Sequence, residues 1–203
     1  EVQMDAAIYR GPRQIGVECV EVPEIGENEV LVKVEACGIC GSDLHTYREG
    51  WHPEFTLRET KQGGIPGHEV SGTIAAKGGA VEDFAIGDRI CGVGMGAMAE
   101  YVPLLANPFS LRKLPESVPF EVAATMEPLA NSIRIARAGG PDAGANVVAF
   151  GMGIIGLGVI QAFRALDVEL GNLIAIDVCD ARLAMARKLG AQHVLNAREC
   201  NVV

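Results

Sequence analysis

The chain has 203 residues, 49% of them hydrophobic and 21% charged, which is typical of a globular protein with a sizeable core. Its net charge of -9 argues against partners such as nucleic acid or an anionic membrane surface, because both require a positive field. No apolar run reaches the roughly 20 residues that span a bilayer, and the N-terminal segment EVQMDAAIYR does not resemble a signal peptide. We therefore expect a cytoplasmic protein.

Six cysteines are scattered along a chain that is too long to need disulfide bonds for its stability. This usage predicts reduced thiols that are available as metal ligands.

The first half of the chain shows the pattern of β-structure. From Ala6 to Ile90, short alternating or β-branched runs such as EVLVKVEAC and VSGTIAAK are separated by glycine and proline. Residues 108–137 then pass from a proline-rich stretch into a helical one, which predicts a connection. We expect a barrel-like first domain over residues 1–137.

The second part of the chain, residues 138–203, changes to an alternation of strands and helices. After Gly139 and Gly140, ANVVAF reads as a buried strand, GMGIIGLGVIQAFRAL as a helix opened by glycines, and NLIAID as a second strand. ARLAMARKLG and HVLN continue as a helix and a third strand. This order predicts a parallel sheet with right-handed crossovers. Three strands are few for a nucleotide-binding fold, so we expect an incomplete, truncated one.

Two segments of the first domain carry side chains that bind zinc. The first runs from Cys37 to His45 as CGICGSDLH, and the second runs from Pro66 to Gly72 as PGHEVSG. Cys40, His68 and either Glu69 or Glu127 could supply the three ligands of a catalytic zinc. From spacing alone, a CxxC pair without a second CxxC could also consist of ordinary core or turn cysteines.

Together the two segments resemble the zinc-containing medium-chain alcohol and polyol dehydrogenase family. GHE, with Gly72, Gly78 and Val81 after it, is similar to the zinc signature of that family, and CGICGSDLH is similar to its first-ligand segment. The resemblance covers essentially the whole chain. It implies a fold that combines β with α/β: a GroES-like β-barrel catalytic domain followed by part of a Rossmann doubly wound parallel sheet.

The resemblance also implies the metal ligands. Cys40 and His68 match the first two ligands, and Glu69 matches the glutamate beside them. Glu127, in the segment TMEPLA, matches a glutamate of the sorbitol- and threonine-dehydrogenase-like branch. The third ligand stays open between the two glutamates. Glu127 has an alternative interpretation as a carboxylate that favours a helix N-terminus.

Three further residues match a proton-transfer and positioning set. Asp43 corresponds to a residue that accepts a hydrogen bond from the ligand histidine and so fixes its tautomer. Ser42 corresponds to the hydroxyl that contacts the substrate oxygen, and His45 to the histidine that passes the proton to solvent. Without the family, Ser42 and Asp43 would be interpreted as a helix cap and His45 as a surface residue.

One feature departs from many family members, which carry a lobe with four closely spaced cysteines for a structural zinc. After Cys91, where this lobe is expected, the chain runs through GVGMGAMAEY to Tyr101 without a cysteine. We expect one catalytic zinc and no structural zinc.

The glycine-rich segment after ANVVAF predicts a dinucleotide site. Its glycines allow a tight turn and place pyrophosphate on a helix N-terminus, and the acidic Asp177 at the end of the next strand suits the ribose hydroxyls of NAD more than the phosphate of NADP. The expected cofactor-binding residues are Gly151, Gly153, Ile155, Gly156, Asp177 and Arg182.

The sequence therefore predicts an oxidoreductase that uses zinc to transfer hydride from a secondary alcohol or polyol to NAD. One alternative is a zinc-containing sugar dehydrogenase of the glucose type. Another is a truncated, catalytically silent zinc-binding fragment, because the predicted nucleotide-binding fold is incomplete. We expect a small-molecule substrate and, for a full-length protein, a homo-oligomer.

Overall fold

The structure is a computed structural model and describes residues 2–202. The chain forms two compact units, Glu1–Glu127 and Pro128–Val203. The sequence predicted the boundary between residues 137 and 138, near the C-terminal end of the helix Met126–Gly139. The observed boundary, between Glu127 and Pro128, lies near the N-terminal end of the same helix. The difference arises because this helix buries Ala136 against the core of the second unit.

The first unit contains two antiparallel sheets. The five-stranded sheet has the order β8-β3-β6-β7-β9, and the four-stranded sheet has the order β2-β1-β5-β4. The strands are β1 (Gln3–Gly11), β2 (Gln14–Glu21), β3 (Glu29–Gly38), β4 (Arg58–Glu59), β5 (Gly64–Ile65), β6 (Glu69–Lys77), β7 (Arg89–Val93), β8 (Tyr101–Leu105) and β9 (Leu111–Lys113). The helices are α1 (Gly41–Glu49), α2 (Pro53–Thr56), α3 (Phe120–Ala123) and α4 (Met126–Gly139), which continues into the second unit.

Alternation of apolar and polar residues explains the larger sheet. In β3, Val30 and Val32 are fully buried, whereas the neighbouring Lys33 is exposed. These valines pack with apolar residues of β6, β7 and β8 into one core, which includes Val70, Ile74, Ile90, Val102 and Leu104. The β-rich first half predicted from the sequence is therefore confirmed.

The pairing of β3 with β6 positions the candidate metal ligands. The two strands are antiparallel, and Gly38 at the end of β3 faces Glu69 at the start of β6. Cys40 follows β3 by two residues, and His68 immediately precedes β6. Residues that lie far apart in the sequence are thus brought together by one strand register.

Close backbone approach explains two glycines of the zinc signature. A methyl group at Gly72 would overlap the carbonyl oxygen of Lys33 in the paired strand, and one at Gly78 would overlap the carbonyl oxygens of Gly26 and Glu27. Only a residue without a side chain fits at these positions.

The second unit contains a parallel sheet with the strand order β10-β11-β12. Its elements are β10 (Val147–Phe150), α5 (Ile154–Ala165), β11 (Leu173–Asp177), α6 (Asp180–Leu189) and β12 (His193–Asn196). Ala149 and Ala175 share a register row and pack with the helices, whereas Val148 and Phe150 on the other face are 48% and 66% exposed. The predicted partial doubly wound sheet is confirmed. Among residues 2–202, no helix combines the length and apolar character that crossing a membrane requires.

We expect Gly72→Ala to lower the free energy of unfolding by about 1–3 kcal/mol, because the added methyl group meets the rigid backbone of Lys33. Gly16→Ala in β2 is the control, since no atom lies within 4 Å of the corresponding position. Urea unfolding of both variants measures the difference. Equal stability of the two variants would contradict the close approach of β3 and β6.

Candidate metal centre and nucleotide site

The first turn of α1 is built around Cys40 and Asp43. Cys40 occupies the N-cap position in extended conformation, and its backbone N–H donates to Oδ2 of Asp43 at 2.8 Å. This bond satisfies one of the N–H groups that a helix start leaves free. Asp43 therefore does have the capping role that its sequence position allowed, whereas Ser42 lies within the first helical turn.

Asp43 also connects the two ligand-bearing segments. Its second carboxylate oxygen accepts a hydrogen bond from the backbone N–H of Gly67 at 3.1 Å, and the side chain is 6% exposed. One carboxylate thus holds the N–H of Cys40 and the N–H of the residue that precedes His68. A charged acceptor makes both hydrogen bonds stronger than neutral ones.

The thiol of Cys40, the imidazole of His68 and the carboxylate of Glu69 form a compact group. One potential ligand atom from each residue lies within 4.8 Å of the others. Thiolate, imidazole and carboxylate are the donors that zinc prefers, and three protein ligands leave a fourth position open. The donor set therefore fits a catalytic zinc ion.

The ring of His68 gives independent support for this fit. Its Nδ1 atom is buried and has no hydrogen-bond partner among residues 2–202. A buried polar atom without a partner is costly in a folded protein, and a metal ion or a further donor or acceptor removes that cost.

The expected hydrogen bond between His68 and Asp43 is not formed. Instead, the two oxygens of Asp43 accept the backbone N–H groups of Cys40 and Gly67, and Nδ1 of His68 has no partner among residues 2–202. The positioning role that the family implies for Asp43 is exerted here on the backbone of the ligand segments.

Glu69 is enclosed beside this group. It is 4% exposed, and burial raises the pKa of its carboxyl, with His68 opposing the rise and Glu127 and Asp43 adding to it. A side chain at Gly38 would collide with the carboxylate, so this glycine makes the space that Glu69 occupies. No sequence motif marks this role of Gly38, which becomes visible only when the strand register is known.

Of the two candidate third ligands, the structure groups Glu69 with Cys40 and His68. Glu127 lies in the first turn of α4 and is near enough for its charge to raise the pKa of Glu69, but it is outside the compact group. Glu127 thus contributes to the electrostatic environment of the three residues.

The two cysteines of the CxxC pair differ in environment. Burial, followed by the charges of Asp43 and Glu69, raises the pKa of Cys37 to about 12. Cys37 packs against the core of the larger sheet and is a neutral thiol at pH 7. Only Cys40 belongs to the ligand group.

Ser42 and His45 lie on the same helix but are not hydrogen-bonded to each other in the described chain. His45 has a side chain that is 61% exposed, with Nδ1 3.9 Å from a carboxylate oxygen of Glu49 and its ring 6.1 Å from that of Trp51. The ring of His45 is therefore in contact with solvent.

The glycine-rich segment has the geometry of a strand-to-helix turn. Gly151 follows β10 with φ of +83°, which favours glycine, and Gly153 is the N-cap of α5. A side chain at Gly156 would overlap the carbonyl oxygen of Gly151. Ile155 accepts a hydrogen bond from the Ser132 hydroxyl at its carbonyl oxygen.

The carboxylate of Asp177 stabilises this turn through hydrogen bonds. Its Oδ2 accepts the backbone N–H of Met152 at 2.6 Å, and its Oδ1 accepts those of Val178 and Cys179 at 2.8 Å each. Burial raises the pKa of Asp177, but these donors and Arg182, 3.9 Å away, outweigh it and hold the pKa below its ordinary value. The carboxylate is therefore ionised and links the glycine turn to the end of β11.

The chain is similar to known proteins in sequence and in fold. Residues 26–116 match the alcohol dehydrogenase GroES-like domain. The chain is 34% identical to sorbitol dehydrogenase of Bacillus subtilis over 97% of its own length and 62% of that protein. It is 32% identical to L-threonine 3-dehydrogenase of Chelativorans sp. over 97% of its own length and 63% of that protein.

Over nearly its whole length the chain is thus similar to zinc-containing medium-chain alcohol and polyol dehydrogenases. Among solved structures, it superimposes on a short chain alcohol dehydrogenase of E. coli complexed with NADH with a TM-score of 0.83 and 28% identity. That match covers 96% of this chain and 62% of the other. The chain spans about six tenths of the length of these family members.

We expect Asp43→Asn to weaken zinc binding by about 10- to 100-fold, because an amide offers one acceptor oxygen where the carboxylate serves two N–H groups. Competition titration with a chromogenic chelator measures the dissociation constant. Asp5→Asn, an exposed position in β1, is the control. Unchanged zinc affinity in Asp43→Asn would show that Asp43 does not position the ligands.

Proposed function

We propose that the protein is a zinc-dependent oxidoreductase that transfers hydride from a secondary alcohol or polyol to NAD. The observation that carries this proposal is the grouping of Cys40, His68 and Glu69 at the junction of β3, α1 and β6. The relatives with dehydrogenase activity align over nearly the whole chain. This favours an enzyme over a silent zinc-binding fragment.

In this proposal Cys40, His68 and Glu69 hold one catalytic zinc ion, and no structural zinc is present. When bound, the ion acts as a Lewis acid on the substrate hydroxyl group. Glu69 is the third ligand because its carboxylate belongs to the compact group, and Glu127 modulates its charge.

The remaining residues of α1 handle the substrate proton. Ser42, two residues after Cys40, accepts the hydroxyl proton of the substrate and releases its own toward His45. His45 passes a proton to water, which its exposure permits. Asp43 keeps the two ligand segments at a fixed separation during this transfer.

The nucleotide is NAD, bound through its adenosine and pyrophosphate portions. The backbone N–H groups of Gly153 and Ile155 at the start of α5 would hold the pyrophosphate. Gly151, whose own N–H donates to the carbonyl oxygen of Ile176, and Gly156 permit the close turn. Asp177 accepts a ribose hydroxyl with its remaining lone pair, and Arg182 flanks the same ribose.

Substrate class follows the relatives. Sorbitol and L-threonine, which the names of two relatives identify as their substrates, both carry a secondary hydroxyl group. We extend the proposal to a small polyol or secondary alcohol as substrate, a cytoplasmic location, a homo-oligomeric whole protein, and no nucleic-acid or membrane partner.

We expect the purified chain to hold about one zinc ion, and Cys40→Ser to hold none, because the substitution removes the thiolate ligand. Elemental analysis measures the metal content. Cys37→Ser is the matched control, since it alters the other cysteine of the same CxxC pair, whose thiol is neutral and outside the ligand group. A folded wild-type chain without zinc, or equal loss in both variants, would overturn the metal assignment.

We expect NADH to bind more tightly than NADPH by about tenfold or more, because ionised Asp177 repels the additional phosphate. Asp177→Asn should narrow this difference, and fluorescence titration with both nucleotides measures it. Asp167→Asn, in the turn after α5, serves as the control. Equal affinity for both nucleotides in the wild-type chain would contradict the role of Asp177.

A further inference from the structure

A cavity of about 190 Å³ lies between α1 and strand β1. We call it the α1 cavity. None of the three grouped metal ligands lines it. Its walls include Tyr9, Asp43, Leu44, Leu57, Pro66 and Met98.

The carboxylate in this wall, that of Asp43, is almost fully buried. Both oxygens of Asp43 already accept backbone N–H groups. The Thr46 hydroxyl donates to the carbonyl oxygen of Trp51 at 2.8 Å and contacts that of Thr56 at 2.7 Å. The other polar side-chain groups are the hydroxyls of Tyr9 and Tyr47. A charged ligand would therefore lose its hydration without gaining a partner.

The rim of the α1 cavity is also apolar. Ile15, Ile39 and Leu44 are 44%, 68% and 42% exposed, although isoleucine and leucine are usually buried. They flank the opening from β2 and from the start of α1. An apolar molecule that enters would cover part of this exposed surface and gain free energy from its burial.

Backbone hydrogen bonds hold the floor of the α1 cavity in place. The backbone N–H of Met98 donates to Pro66 at 3.0 Å, and the carbonyl oxygen of Met98 accepts the N–H of Ala7 at 2.9 Å. These two hydrogen bonds hold the segment between β7 and β8 against Pro66 and β1. The volume of the α1 cavity exceeds the roughly 150 Å³ of an apolar cavity that accommodates benzene.

We propose that the α1 cavity is a binding site for a small, uncharged, apolar molecule of about six to eight non-hydrogen atoms. The occupant contacts Asp43, which holds Cys40 and Gly67, and Pro66, which lies two residues before His68. Occupancy therefore favours the arrangement of the ligand segments that binds zinc. This coupling rests on the proposed zinc site, whereas binding in the cavity does not.

Benzene is the probe, added to the metal-free chain during thermal unfolding. We expect benzene to raise the Tm, because it binds the folded state alone, and we expect benzoate and benzylammonium to leave the Tm unchanged. Leu44→Trp and Ile15→Trp place a large ring at the rim from opposite sides and should each weaken benzene binding at least about tenfold. Leu105→Trp, at a 51% exposed position of β8 away from the cavity, should bind benzene as the wild type does.

Three outcomes would overturn the cavity assignment. The first is an unchanged Tm of the wild-type chain in benzene. The second is a shift that persists in both rim variants. The third is a dimer in sedimentation experiments that is lost in Leu44→Trp, which would make a second copy of the chain the occupant.

Zinc titration with and without saturating benzene tests the coupling. Because coupling between two ligands is reciprocal, we expect benzene to lower the zinc dissociation constant by at least about fivefold. Zinc affinity that is unchanged by bound benzene would overturn the coupling and leave the proposed function intact. Failure of the chain to bind zinc at all would contradict the proposed function while the Tm experiment still decides the cavity.

Discussion

The arrangement of the candidate metal centre depends on one carboxylate. Asp43 accepts a hydrogen bond from the backbone of Cys40 and another from that of Gly67. These bonds join the start of α1 to the start of β6, while the register of Gly38 against Glu69 fixes the strands behind them. Because Asp43 is almost fully buried, water competes weakly for either bond. The distance between the segments that carry Cys40 and His68 can therefore be maintained without a metal ion.

Asp177 has a comparable part in the second unit. It connects the glycine turn after β10 to the first residues after β11 through three backbone N–H groups. Such a turn exposes N–H groups that suit an anion, but only if its conformation is held. In each unit one aspartate, Asp43 or Asp177, thus accepts the backbone N–H groups of two chain segments that border a candidate site.

Most of the fold could be predicted from the sequence because its elements have strong local patterns. Alternation in EVLVKVEAC predicted β3, and the glycines before IIGLGVIQAF predicted the start of α5. The end of the first unit was harder to locate, since α4 has no break in its helical pattern at Pro128. Which core a helix joins depends on tertiary contacts that periodicity does not encode.

The candidate site shows the same limit. Family motifs identified Cys40 and His68, but the partners of Asp43 lie up to 24 positions away in the sequence and depend on strand register. The same register places Glu69 opposite Gly38, where the absence of a side chain makes room for a carboxylate. Local sequence can therefore identify which side chains are able to bind a metal ion. Which of these candidates come together in one group depends on the packing of the sheet. The two cysteines of the CxxC pair show this dependence on packing. Cys37 and Cys40 are the same residue type, but Cys37 is a buried, neutral thiol and only Cys40 lies in the ligand group.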